Sequence, residues 1–317
     1  MKLQVKHYIK NKNIIMNLKK GLLTIALILL ISNLVNAQAN ILNATIPEEI
    51  GVKSDEQMAA DNDGPLPYGY VDDRDVLWSK MVWEYIDLNE KINLPYYYPA
   101  DTSNIDKNRR SLYDTLLRGI KSGEIIDVYD DSYFTDKLTK KEILGRLAKI
   151  DTTDVGIDKI NLGDQLTEED INERYIGSAD VEGFRIKGLY YFDKRQGELK
   201  YRLLGIAPVS PDVNFIDDME DTSDLSEMVD LFWVWYPGIR DIMHEMKVFN
   251  NKNSAFPLSF DLLLNARRFN AIIYREENVY GNRKVTEYVK NNSLFQVIES
   301  QKIRESIRDY ELDMWNY

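Results

Sequence analysis

Acid–base and metal chemistry draw on carboxylates, imidazoles and thiolates, and this chain of 317 residues has 52 Asp and Glu, two His and no Cys. His7 lies in an amino-terminal segment expected to be removed, which leaves His244. One imidazole cannot build a multi-histidine metal centre, and the missing cysteine excludes a disulfide framework, a thiolate zinc site and a cysteine nucleophile. His244 falls between Met243 and Glu245 on an expected helix, with no nucleophile for it to activate. The sequence contains no G-x-S-x-G, H-E-x-x-H, G-x-x-x-x-G-K-[ST] or G-x-G-x-x-G. Glu84/Asp87 and Asp217/Asp218 have the composition of a glycosidase pair, but with so many carboxylates such pairs are unavoidable. Asp61-Asn62-Asp63-Gly64 has part of a calcium loop, yet Ala59 stands where the first carboxylate is needed, so it reads as a turn. Asp127-Val128-Tyr129-Asp130-Asp131 could collect a cation. The expectation is no catalytic residue, no resident metal or cofactor, and no enzyme.

The aromatic clusters carry more information. Tyr96 to Tyr98 and Phe232-Trp-Val-Trp-Tyr236 could be core, a carbohydrate platform or a protein interface. On a strand, Trp233 and Trp235 share one face and Phe232 and Val234 the other. Both faces must then be covered, by protein in a central strand or by a docked partner. Trp233, Trp235, Tyr236 and the nearby Arg240 are the candidate interface residues.

These residues must be positioned by a globular chain, since 44% of residues are apolar and 29% charged. Met1 to Ala37 holds six lysines, no acid and the apolar run Gly21 to Ile31. That run is short for a membrane span, which needs about 20 apolar residues, and it ends in small residues. It reads as a secretory signal cut between Ala37 and Gln38, with Met1 or Met16 as the start. Removing those six lysines takes the net charge from −12 to −18. A surface of that sign repels nucleic acid and anionic lipid. No second apolar run of spanning length follows.

Residues 38–66 read as a polar, flexible tail. The stretch 67–150 reads as an α+β unit: a helix from about 74 to 90 behind the acidic cap Asp72 to Asp75, an extended Leu94 to Pro99, a helix over Leu112 to Ile120 stopped by Gly123, a strand over Glu124 to Tyr129, and a helix opened by the capping box Thr139-x-x-Glu142. In 151–230 a short helix capped by Thr167-x-x-Asp170 precedes a β-hairpin of Phe184 to Phe192 and Glu198 to Val209. Asp212 to Asp230 then holds eight acids and no base, which reads as a solvated loop, with a partner-docking segment as the alternative. The stretch 231–317 is a second α+β unit: a strand at Leu231 to Tyr236, a helix from Pro237 to about Lys247, a helix over Ser259 to Phe269, a strand at Ala271 to Tyr274, and a last helix capped by Ser293-x-x-Gln296. Asn108 to Tyr129 and Ser259 to Tyr274 share the order helix, then strand, which hints at duplication. The expected fold class is α+β, with helices on short, mostly antiparallel strands, and two similar units joined by the hairpin.

Several long phrases carry a resemblance. Pro67-Tyr-Gly-Tyr-Val-Asp-Asp-Arg-Asp-Val-Leu-Trp78, Met81-Val-Trp-Glu-Tyr-Ile-Asp-Leu-Asn-Glu-Lys-Ile-Asn93, Tyr190 to Lys194, Leu204 to Pro208, Phe232-Trp-Val-Trp-Tyr-Pro-Gly-Ile-Arg240, Val248 to Asn250, Arg267 to Phe269, and Ile273-Tyr274 through Asn278-Val-Tyr280 resemble the gliding-motility GldN family, called PorN in non-gliding relatives. GldO is a similar paralogue. The resemblance implies a periplasmic component of the type IX secretion system of Bacteroidetes. It also implies rings formed with the outer-membrane lipoprotein GldK/PorK, contact with the GldM/PorM motor component, and no catalytic residues. The rival from another class is a secreted, aromatic-rich carbohydrate or peptidoglycan binder, which exposed coplanar aromatics would favour. An enzyme comes third.

Overall fold

The computed structural model describes residue 46 and residues 63–101, 109–163, 165, 167, 170–214, 228–248, 250 and 258–315. The signal segment with its cut at Ala37 and Gln38, almost all of the polar tail, and residues 215–227 of the acidic stretch lie outside the described residues. The elements in chain order are β1 (Val76–Asp87), α1 (Leu94–Tyr97), α2 (Leu112–Ser122), β2 (Val128–Tyr129), α3 (Lys140–Leu147), β3 (Ala148–Thr152), α4 (Asp154–Leu162), β4 (Ile171–Tyr175), β5 (Gly183–Asp193), β6 (Glu198–Pro211), β7 (Met228–Asp230), β8 (Trp233–Trp235), α5 (Arg240–Glu245), β9 (Lys247–Val248), β10 (Leu258–Ser259), α6 (Phe260–Asn265), β11 (Ile272–Glu276), α7 (Val285–Tyr288) and α8 (Ser293–Trp315). The class is α+β. Every pairing between the named strands is antiparallel.

The main sheet runs β11-β1-β5-β6-β8-β2, with β7 also on β6. It takes strands from each of the three stretches read in the sequence, and Gly64–Tyr317 forms one compact unit. Its centre is the expected hairpin, whose strands pair from Gly183↔Val209 to Asp193↔Glu198. At 12, 11 and 14 residues, β1, β5 and β6 are long rather than short.

The helix expected over 74–90 is the main correction. Only the turn Asp73–Asp75 is helical, capped by the Asp72 carboxylate, which accepts from the Arg74 amide at 3.1 Å. Val76–Asp87 then becomes a strand paired with β11 and β5 and buried from Val82 to Ile86. A strand covered on both faces carries apolar residues at odd and even positions, so its pattern loses the period of two and mimics a helical stripe. Val76, Trp78, Val82, Trp83, Tyr85 and Ile86 are β-branched or aromatic, the composition that suits a pleated, packed surface.

Smaller departures have local causes. Leu94 to Tyr97 is one helical turn, with Pro95 in the first turn. The strand expected from Glu124 shrinks to Val128–Tyr129. Pro237 sits in a 3-10 turn (Tyr236–Gly238) ahead of α5, which ends at Glu245. The last helix is capped by Asn292, not Ser293: its side chain accepts from the Phe295 amide at 3.0 Å. The capping box at Thr139 is present, with Glu142 reaching back to the Thr139 amide at 2.7 Å, and α2 ends on left-handed Gly123. The two helix-then-strand segments noted in the sequence lie at opposite edges of the sheet, as α2 with β2 and α6 with β11.

One face of the sheet is covered by helices. Ile86, Phe184, Ile186, Leu203, Ile206 and Val234 pack with Leu112, Leu116 and Ile120 of α2, Met243 of α5 and Phe260, Leu263 and Leu264 of α6. Farther along, Ile303 and Ile307 of α8 meet Val82 and Ile273. α8 also closes the outer edge of β11: Ser300 Oγ accepts from the Ile273 amide at 2.8 Å, and Arg304 donates to the Ala271 carbonyl at 2.6 Å. Protecting an edge this way prevents strand-to-strand aggregation. No helix among the described residues is long and apolar enough to cross a membrane.

Candidate functional site

Alternation along β1 sends Val82, Glu84 and Ile86 to the helical side and Trp83 and Tyr85 to the other. The buried clusters on that other face, Trp83, Ala207 and Trp233, and Tyr85, Val209 and Met228, contain no helical residue. Strand register lines up one row across it: Arg275 opposite Trp83, Trp83 opposite Lys187, Lys187 opposite Gly205, and Gly205 opposite Trp235. The row is a ladder of cations and aromatic rings. The Lys187 ammonium lies 5.2 Å from the Trp83 ring centre, and the Arg275 guanidinium 5.3 Å from the same ring. Such pairs are attracted through the ring quadrupole.

The loop after β2 closes over this ladder. Asp131 folds it by accepting from the amides of Tyr133 and Phe134, each at 3.1 Å, and Phe134 has a φ of 62°. The Phe134 ring comes down edge-on to Trp235 at 5.0 Å and Trp233 at 6.4 Å. It fits because position 205 is glycine; a Cβ there would collide with it. Lys187 is thereby enclosed. Its ammonium donates to the Ser132 carbonyl at 2.8 Å and faces Trp83, Tyr133 and Phe134. Burial lowers its pKa, opposed by the charges of Asp131 and Glu277, while Arg275 lowers it further. Beside the ladder, Arg185 pairs with Asp230 and lies 5.5 Å from the Tyr274 ring. Burial raises the Tyr274 phenol far above its ordinary range.

The four candidate interface residues divide between this face and a separate cluster. Trp233 is 1% exposed and donates from Nε1 to Asp230 at 3.0 Å; Trp235 is 38% exposed. Tyr236 and Arg240 are buried elsewhere, around Asp261 at the start of α6. Arg240 grips Asp261 with two hydrogen bonds of 2.8 Å, and the Tyr236 hydroxyl donates to the same carboxylate at 2.9 Å. Those bonds to Asp261 hold the Arg240 pKa above its usual value, and burial raises that of Tyr236. Of the four, only Trp235 offers appreciable surface.

The Asp261 cluster anchors the extended segment Pro67 to Val71. The Tyr68 ring lies 4.0 Å from the Arg240 guanidinium and 4.4 Å from that of Arg202, and its hydroxyl donates to Asn265 at 2.9 Å. Arg195 and Arg202 donate to the carbonyls of Tyr70 and Gly69 at 2.7 and 3.2 Å. The phrase Pro-Tyr-Gly-Tyr is thus a strap across the hairpin tip.

Among the described residues, the carboxylates considered for chemistry are engaged. Glu84, fully buried in β1, receives Arg267 at 2.7 and 2.9 Å and the Tyr201 hydroxyl at 3.3 Å. Asp87 accepts from the Asn89 amide at 2.9 Å. Asp127 pairs with Lys137 and Asp130 with Arg146. Asp217 and Asp218 lie outside the described residues, as do Asp61 and Asn62. Among the described residues no three His, Asp or Glu side chains stand together as a metal site. Sequence reasoning missed Trp83, Phe134, Lys187 and Arg275, because it placed Trp83 on a helix and the other three meet it only through sheet register and loop closure.

The fold and this face define an α+β protein with one sheet face given to its own helices and the other to a ladder of buried rings and cations. The chain belongs to the GldN family: the family model of the gliding motility associated protein GldN matches residues 71–316. Membership makes the chain a component of gliding motility and type IX secretion. No curated protein matches the chain in sequence.

Proposed function

We propose that this chain is a non-enzymatic, periplasmic structural subunit of the type IX secretion and gliding apparatus. After removal of its signal segment it assembles with a GldK/PorK-like outer-membrane lipoprotein into a ring and contacts a GldM/PorM-like motor component. The observation that carries this reading is the family match across 71–316, nearly all of the chain after the tail. The aromatics support it over the carbohydrate-binding alternative. Trp83 and Trp233 are each 1% exposed, and Trp78 stacks on Tyr310 at 4.5 Å, so they form no coplanar platform for a sugar. Trp235 contributes to a partner surface from the ladder face. The negative charge favours a more basic partner and an association that weakens with salt.

The test is affinity purification of the chain from an envelope fraction with mass spectrometry. Recovery of the lipoprotein in stoichiometric amount, lost in Trp235→Ala with unchanged thermal stability, is the expected result. A lone monomer in the wild type sinks the assembly reading; retention by Trp235→Ala sinks only the residue assignment.

A further inference from the structure

A cavity of about 210 Å³ opens on the ladder face where β11, the 130–133 loop and β8 meet. Its charged lining is Asp130, Asp131, Arg185, Asp230, Arg275 and Lys284. Four of these are engaged. Arg185 pairs with Asp230, which also accepts from Trp233; Asp130 pairs with Arg146; Asp131 is held by two backbone amides. Arg275 and Lys284 remain, brought side by side by a backbone bridge between them. Neither forms an ion pair among the described residues. Arg275 Nε is buried without an acceptor, and so is Nε1 of Trp83, the ring on which Arg275 rests. Unmet buried donors are costly, and native structures rarely keep two together without a use.

We propose that this cavity is a docking site for a carboxylate presented by an acidic segment of a partner polypeptide, bound by Arg275 and Lys284 beside Trp83. Guanidinium matches a carboxylate in plane, with Lys284 as a second positive charge. The size selects a side chain or chain terminus, because the volume is below the roughly 300–1,000 Å³ of small-molecule sites. The charge balance selects a polypeptide over a free anion. A chain of net charge −12 repels free anions at long range, so the carboxylate needs a carrier that gains further contact, for which Tyr133 and Trp235 are exposed on the same face. This inference does not rest on the ring assembly and stands or falls separately.

The test uses the full mature chain and three short peptides blocked at the amino end: one with an internal Glu and an amidated end, one without acid but with a free carboxyl end, and the amidated Gln counterpart. Binding is read by ¹⁵N NMR at the Trp83 indole N–H and by tryptophan fluorescence. Saturable binding of one acidic peptide, absent for the Gln peptide, is expected, and the peptide that binds identifies side chain or terminus as the source. Arg275→Gln and Lys284→Gln should each weaken it about tenfold or more. Lys284→Gln, at a half-exposed position, keeps the test open if Arg275→Gln fails to fold. No saturable shift at the Trp83 indole with either acidic peptide at millimolar concentration overturns the proposal. An unchanged affinity in folded Lys284→Gln does the same.

Discussion

Replacing Glu84 by Gln removes one charge from the middle of the sheet while keeping the side chain's shape. Glu84 is fully buried, and its two oxygens receive Arg267 at 2.7 and 2.9 Å. Arg267 sits in the left-handed region, φ 49°, just past the end of α6, so the turn that stops the helix also aims the guanidinium. Burial opposes its charge, and the carboxylate more than compensates, leaving its pKa above the usual value. Breaking such a pair leaves an uncompensated buried charge, a cost of about 3–5 kcal/mol. The Arg267 side chain keeps 25% exposure, so water offsets part of this and the lower half of that range, about 3–4 kcal/mol, is expected. At roughly 2–4 °C per kcal/mol for a domain of this size, Tm falls by about 6–16 °C. Calorimetry of the wild type, Glu84→Gln, Arg267→Met and the double variant Glu84→Gln/Arg267→Met gives the answer. The double variant should be more stable than the sum of single losses implies, because no charge is stranded. A Glu84→Gln Tm within 2 °C of wild type, at the scale of about 1 kcal/mol or less, or strictly additive losses, would refute the reasoning.

Three further outcomes follow from the same geometry. Gly205→Ala expels the Phe134 ring and should cost about 1–3 kcal/mol, with a red shift in the fluorescence of Trp233 and Trp235; an unchanged spectrum contradicts the packing. Lys187 has a pKa lowered by burial, so its protonated form costs folding free energy below the folded pKa, and the cost fades as pH rises toward the ordinary value of 10.5. Lys187→Met should therefore raise Tm at pH 7 by an increment that shrinks toward pH 10; an increment that grows would reverse the sign of the argument. Tyr68→Ala removes the ring between Arg202 and Arg240 and should make the strap near Gly69 cleavable by protease while β5 and β6 stay protected; equal resistance in both proteins would show that Tyr68 does not anchor it.

What could be read from the residues in order was whatever short-range physics decides. The capping box at Thr139, the glycine stop at 123 and the hairpin of β5 and β6 depend on neighbours within a few positions, and each appears where expected. The α+β class followed from the alternation of such segments, and the GldN family from long phrases that survive as the strap, β1, the Trp233 strand and the Arg267 turn. Only the tertiary structure decided that 76–87 is a strand, since burial of Val82 to Ile86 on both faces erases the alternation that would announce it. The fold also decided that Tyr236 and Arg240 are spent on Asp261, and that Trp83, Lys187, Arg275 and Phe134, up to 192 positions apart, form one surface. Sheet register creates that surface by pairing strands distant in the chain, and no local pattern carries register.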